Sequence, residues 1–110
     1  MEAVKRIQDN KIIYDITGRV DTQTAPDLQD ILDEILNETE NQKQIINLVL
    51  NLSSVDYLSS AGLRTILHVK KRIDSIEGSS LVIANVQDVV MEIFDMTGFT
   101  DFLTFEKFEN

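Results

Sequence analysis

The chain has no cysteine and no tryptophan, one proline (Pro26), one histidine (His68) and four glycines among 110 residues. Each shortage removes a class of chemistry. Without cysteine there are no disulfides, no zinc–thiolate sites and no thiol nucleophile. A single histidine leaves no second imidazole for a metal site or a nucleophile–base pair, and a lone histidine within a helical stretch reads as a surface or packing residue. The glycines stand apart at turns and helix ends, so no glycine-rich phosphate loop exists. Basic residues are also scarce: 10 against 19 acids, for a net charge of −9. That balance lacks the basic footprint of a nucleic-acid or anionic-membrane binder. No apolar run approaches the length of a membrane span, and Met1–Arg6 lacks a signal-peptide core. The expectations are one cytoplasmic domain that is not an enzyme, with no catalytic residue, no metal and no cofactor. A carboxylate pair of Asp21 and Asp56 is the one remaining catalytic candidate, and nothing in the spacing sets it against a substrate pocket.

What is present is a regular alternation of strand and helix patterns. Residues 4–8 and 11–20 read as two strands around an Asp9-Asn10 turn, and Ile12, Tyr14 and Ile16 give the second an apolar face. A polar loop, Asp21–Thr24, leads to a helix that Thr24 can cap and whose first turn suits Pro26 and Asp27. In it Leu28, Ile31, Leu32, Ile35 and Leu36 keep helical spacing, with acids on the opposite face. Residues 37–44 read as a polar connection. An apolar strand from Asn47 follows, and then a serine-rich loop, Ser53–Ser60. A second helix carries Leu63, Ile66, Leu67 and Ile73 on or near one face, with Lys70, Lys71 and Arg72 as a solvated end. Leu81–Ala84 is a short buried strand. A third helix places Val86, Val89, Val90, Ile93 and Phe94 on one face, with Gly98 ending it. Phe99, Phe102, Leu103 and Phe105 close the chain as a short strand or turn. The order β-β-α-β-α-β-α-β predicts an α/β domain with a mixed, mostly parallel sheet of four to five strands, opened by an antiparallel hairpin and covered by about four helices. The loops 21–24 and 53–60 fall at the carboxyl edge of that sheet, where functional crevices lie.

Ser60 stands where the second helix should be capped, just before Ala61-Gly62-Leu63. A hydroxyl there faces unpaired backbone N–H groups at the positive end of a helix dipole, a setting that receives an anion well. Ser59 is an equally legal cap one residue earlier. From composition and spacing alone, the serine is a cap and nothing more.

The stretch Asn51-Leu52-Ser53-Ser54-Val55-Asp56-Tyr57-Leu58-Ser59-Ser60-Ala61-Gly62-Leu63 resembles the signature of STAS domains, specifically bacterial anti-sigma factor antagonists. Thr17-Gly18-Arg19-Val20-Asp21 is similar to the family's Gly-x-hydrophobic-Asp before the first helix. Ile93-Phe94-Asp95-Met96-Thr97-Gly98-Phe99 is similar to its late helix ending in glycine and a hydrophobic residue. The resemblance covers essentially the whole chain and implies a STAS-like fold over residues 1–110. It implies a partner switch. The unmodified protein binds an anti-sigma factor that is also a serine kinase, freeing the sigma factor. Phosphorylation of the loop serine, Ser60 here, abolishes binding, and a serine phosphatase restores it. The docking surface it implies takes in Asp21, Thr22, Asp56, Ser59, Ser60, Ala61, Gly62 and Arg64, with Gly62 leaving room for close approach. Two positions depart from the family pattern: Ser59 stands where many members carry aspartate, and Asn51 where aspartate is frequent. An alternative is a STAS scaffold or regulatory subunit of a signalling or transport assembly, with Ser60 never phosphorylated. A third reading is a small hydrolase or nucleotide-binding domain using the strand-end crevice. A monomer that contacts neither nucleic acid nor membrane is expected.

Overall fold

The chain begins with a hairpin, β1 (Glu2–Gln8) and β2 (Lys11–Val20), turning at Asp9, whose φ is +57°. A computed structural model describes residues 1–108. After the hairpin come α1 (Ala25–Asn41), β3 (Asn47–Leu58), α2 (Ser60–Asp74), β4 (Ser80–Ala84), α3 (Asp88–Thr97), a 3₁₀ turn at Phe99–Asp101 and β5 (Thr104–Glu106). The five strands lie in the order β1-β2-β3-β4-β5, with β1 antiparallel to β2 and every later pair parallel. The expected mixed α/β sheet is present, with three α-helices and the 3₁₀ turn in place of about four helices.

Because each crossover steps the same way along the sheet, right-handed connections place the helices on one face. The main core lies there. Tyr14 and Ile16 of β2, Leu48, Leu50 and Leu52 of β3, and Ile83 of β4 pack with Leu28, Leu32 and Leu36 of α1, Ile66 and Val69 of α2, and Phe94 of α3. The opposite face has a small apolar cluster of Ile13, Val49 and Ala84, with Val82 and Phe108 packed against it. The backbone N–H of Phe108 donates to Asn85 Oδ1 at 2.8 Å, and Lys11 Nζ lies 4.9 Å from the centre of its ring.

Beside that cluster a polar chain crosses the sheet. Arg6 Nε donates to Asp15 Oδ2 at 2.6 Å, and Asn51 Nδ2 donates to Asp15 Oδ1 at 2.7 Å. Asn51 Oδ1 accepts from Asn85 Nδ2 and from the Ser53 backbone N–H, each at 3.2 Å. The amide at position 51 is therefore a donor to a carboxylate and an acceptor from two N–H groups. Aspartate could not play both parts while ionised.

Several expectations change. Helix α1 continues to Asn41, so residues 37–41 are not part of the connection. Arg72 holds that last stretch: its guanidinium donates to Asp33 Oδ1 at 3.0 Å, Asn37 Oδ1 at 2.8 Å and Glu40 Oε1 at 3.0 Å. Arg72 is thus a clamp between α1 and α2 rather than a solvated helix end, and Asp33 is its partner rather than a free surface acid. In α3, Val90 and Phe94 are buried, but Val89 faces outward at 54% exposure and Val86 precedes the helix. Gly98 ends α3 as expected, at φ +77°. Phe102 is exposed rather than packed on the core.

Candidate partner-binding site

The site is built where the ends of β2 and β3 deliver the chain to α1 and α2. The expected loop 53–60 is mostly strand, since β3 runs to Leu58. Its pairing with β2 slips twice. Asp15 to Thr17 is matched by Asn51 to Ser54, and Gly18 to Arg19 by Val55 to Tyr57. Each slip places one extra residue in β3, which is a β-bulge. Through the bulges Leu52, Val55 and Leu58 all reach the core while Ser53, Ser54, Asp56 and Tyr57 are exposed. Gly18, at φ +92°, accommodates the irregular stretch of β2 in a conformation that a side chain would strain. The second slip also brings Arg19 over the Tyr57 ring, 4.2 Å from guanidinium carbon to ring centre. This cation–π contact had no signal in the sequence beyond one arginine and one tyrosine far apart.

On the β2 side, Asp21 organises its own loop. Its Oδ1 accepts from the backbone N–H groups of Gln23 and Thr24, each at 3.0 Å. The Thr24 hydroxyl accepts from Asp21 N–H and donates to Arg19 O, both at 2.9 Å. Thr24 occupies the α1 cap position, but its hydroxyl is turned back into the loop and makes no cap bond to the helix. The Thr24 backbone N–H, then its hydroxyl, the Gln23 N–H and the charge of Arg19, hold the Asp21 carboxyl below its usual range.

On the β3 side, the helix start shifts by one residue from the expected position. Ser59 is the cap of α2, its hydroxyl accepting from Gly62 N–H at 3.2 Å, while Ser60 is the first helical residue and exposed. Local chemistry cannot choose between the two serines. The choice comes from β2, because Ser59 N–H donates to Val20 O at 2.8 Å and fixes the turn there. Gly62 sits just inside, and it is buried. A Cβ at that position would lie 2.6 Å from Leu58 Cδ1, 2.7 Å from Val20 Cγ1 and 3.1 Å from Val20 O. The room that Gly62 leaves is taken by the protein's own core and lets α2 close onto the end of β2.

An open groove of about 650 Å³ runs between α1 and α2 from this junction. Thr22, Ala25, Pro26 and Gln29 line one wall, and Ala61, Arg64, Thr65 and His68 the other, with Asp33 at the α1 side. Of the residues expected in the docking surface, Thr22, Ala61 and Arg64 line the groove. Ser59 and Ser60 precede its α2 wall, and Asp21 anchors the loop carrying Thr22. Asp56 is exposed on the second bulge and is not among the groove residues. Pro26, Gln29 and His68 belong to the groove without having been expected there. His68 Nε2 lies 3.6 Å from Asp33 Oδ1. Among the described residues no cluster of histidine and acids has the arrangement of a metal site, and no helix is long and apolar enough to cross a membrane.

The whole arrangement is that of a known class of domain. The family model of the STAS domain matches residues 2–110, and the chain belongs to that family. Its relatives include BtrV of Bordetella bronchiseptica, which bears an anti-sigma factor antagonist's name and is 33% identical over 91 residues, covering 83% of this chain and 73% of BtrV. The anti-sigma-B factor antagonist of Listeria monocytogenes is 28% identical over 109 residues, covering 99% of this chain and 90% of the relative. Among solved structures, the Bacillus anti-sigma factor antagonist SpoIIAA shares the fold in two forms. The unphosphorylated form matches with a TM-score of 0.72 at 8% identity, covering 99% of this chain and 90% of SpoIIAA. The phosphorylated form matches at 0.68 and 10% identity, covering 94% and 90%.

Proposed function

We propose that this protein is an anti-sigma factor antagonist that works by partner switching, with Ser60 as its phosphorylation site. The unmodified form docks on an anti-sigma factor that is also a serine kinase, using the groove and the start of α2, and so releases the sigma factor. The observation that carries the reading is the exposed serine, Ser60, at the first residue of α2, beside a groove lined by Ala61 and Arg64. Ser59 is half-buried and already committed as the helix cap, which favours Ser60 over its neighbour as the acceptor. Ser60 Oγ attacks the γ-phosphorus of ATP. The new O–P bond forms as ADP leaves, and the hydroxyl proton passes to a base of the kinase. A phosphatase returns serine and inorganic phosphate by hydrolysis.

A phosphate at this position adds about −1.5 to −2 charge and three acceptor oxygens. The N-terminus of α2 stabilises that charge, so the domain keeps its fold and the effect falls on the interface. The protein itself is regulatory rather than catalytic and acts in the cytoplasm as a monomer, without nucleic acid or membrane. The test is intact-mass analysis after incubation with candidate anti-sigma kinases and ATP, with Ser60→Ala alongside. One phosphate on the wild type and none on the variant supports the reading. Phosphate retained by the variant places the site elsewhere, and no phosphate from a kinase that binds the domain favours a scaffold role.

A further inference from the structure

The chain has four arginines, and three are engaged within the fold. Arg6 pairs with Asp15, Arg19 stacks on Tyr57, and Arg72 clamps Asp33 and Glu40. Arg64 is different. It is exposed, lines the groove, and has no side-chain hydrogen bond or ion pair among the described residues. The acid among the groove-lining residues, Asp33, is already held by Arg72 at 3.0 Å. His68, one turn further along the same face of α2, approaches Asp33 too, its Nε2 3.6 Å from Asp33 Oδ1. Arg64 stands four residues after Ser60, within one unbroken helix whose first residue is Ser60. Side chains at that spacing are neighbours, and an anion N-terminal to a cation is the favourable order. A guanidinium also matches phosphate oxygens in a planar two-point contact that an ammonium cannot copy.

We propose that Arg64 is the internal counter-ion of phosphorylated Ser60, and that this pairing is half of the switch. The inference rests on Ser60 being the modified residue. In the unmodified protein Arg64 is a free cation on the groove wall, available to an acidic group of the partner. Once Ser60 carries phosphate, Arg64 turns along α2 to the phosphate oxygens. The partner then meets a new anion and also loses the cation it docked on. Phosphorylation thus reverses the charge at the groove mouth without moving the backbone.

The test uses the full chain with phosphoserine incorporated at position 60 during translation, so it does not depend on any kinase. The phosphate is titrated by ³¹P NMR in the wild-type background, in Arg64→Gln and in Arg64→Lys. The expected result is a phosphate that titrates about 0.15–0.4 pH units lower with Arg64 than with Gln, the gap shrinking in high salt and only partly restored by Lys. Identical curves for wild type and Arg64→Gln, with matching circular dichroism, would overturn the pairing. A clear gap combined with no kinase ever phosphorylating Ser60 would leave the pairing standing and refute the partner switch. In the unmodified protein, Arg64→Gln is expected to weaken the kinase partner's binding several-fold, while Arg64→Gln at unchanged affinity refutes the docking half.

Discussion

Exchanging Asn51 for aspartate replaces one heavy atom, the amide nitrogen, at a site where the sheet has already fixed every partner. Asn51 Nδ2 donates to Asp15 Oδ1 at 2.7 Å, and Asn51 is only 8% exposed. In Asn51→Asp that donor becomes a second carboxylate oxygen. Losing a hydrogen bond to a charged group costs about 1.5–3 kcal/mol. Two like charges near 4 Å repel by roughly 4 kcal/mol at an effective dielectric of 20, a ceiling that Arg6, water and protonation reduce. Arg6 stays on Asp15, and Asn85 and Ser53 N–H still donate to position 51, so the net loss at pH 7 should be about 2–4 kcal/mol.

The pH dependence carries the sharper signature. In the wild type, the hydrogen bond from Arg6, then that from Asn51 and the charge of Arg6, hold the Asp15 carboxyl below its usual range. A carboxyl depressed in the folded state stabilises it at pH values above the unfolded pKa, and that contribution fades as pH falls through the folded pKa. In the variant one of the two carboxyls is pushed up instead, so the penalty is full at neutral pH and shrinks on acidification. Urea unfolding followed by far-UV circular dichroism, in both proteins from pH 7 down to about pH 4.5, reads the difference. The gap should narrow steadily over that range. A loss under about 0.5 kcal/mol at pH 7, or one that ignores pH, would refute the assigned hydrogen bond.

Other substitutions test the junction itself. Gly62→Ala gains up to about 1 kcal/mol of helix propensity but drives a methyl into Leu58, Val20 and the Val20 carbonyl, so a net loss of about 1–2 kcal/mol is expected by urea unfolding. A stabilised variant would mean α2 is not pinned against β2. Ser59→Ala removes the α2 cap and should cost about 1 kcal/mol by urea unfolding, and if Ser60 is the acceptor, as proposed, the variant still gains one phosphate by intact mass. Arg72→Ala should cost about 1 kcal/mol and speed amide exchange in the last turns of α1, because the guanidinium tying Asp33, Asn37 and Glu40 is gone.

The element order was legible because the apolar residues of α1 and α2 keep helical spacing and those of β2 alternate, patterns set by which face meets the core. Gly98 marked the end of α3 for a similarly local reason, a left-handed residue at a helix terminus. What the sequence hid depends on distant partners. The β3 bulges break the two-residue period, so a strand ending at Leu58 reads as loop. The last stretch of α1 is polar and takes its support from Arg72, a residue of another helix. Ser59 and Ser60 are equivalent until Val20 O claims the Ser59 N–H. Gly62 reads as space for a partner until Leu58 and Val20 are seen to fill it. The groove residues His68 and Pro26 gain meaning only when the two helices lie side by side.

The most direct measurement is isothermal calorimetry of the unmodified chain, and of the chain with phosphoserine incorporated at position 60, against the anti-sigma factor kinase proposed as its partner. The partner switch predicts stoichiometric binding of the unmodified form and a loss of at least about 100-fold in affinity on phosphorylation, since the phosphate brings bulk and net negative charge into a closed interface and draws Arg64 away from the partner. Equal affinity of the two forms would contradict it.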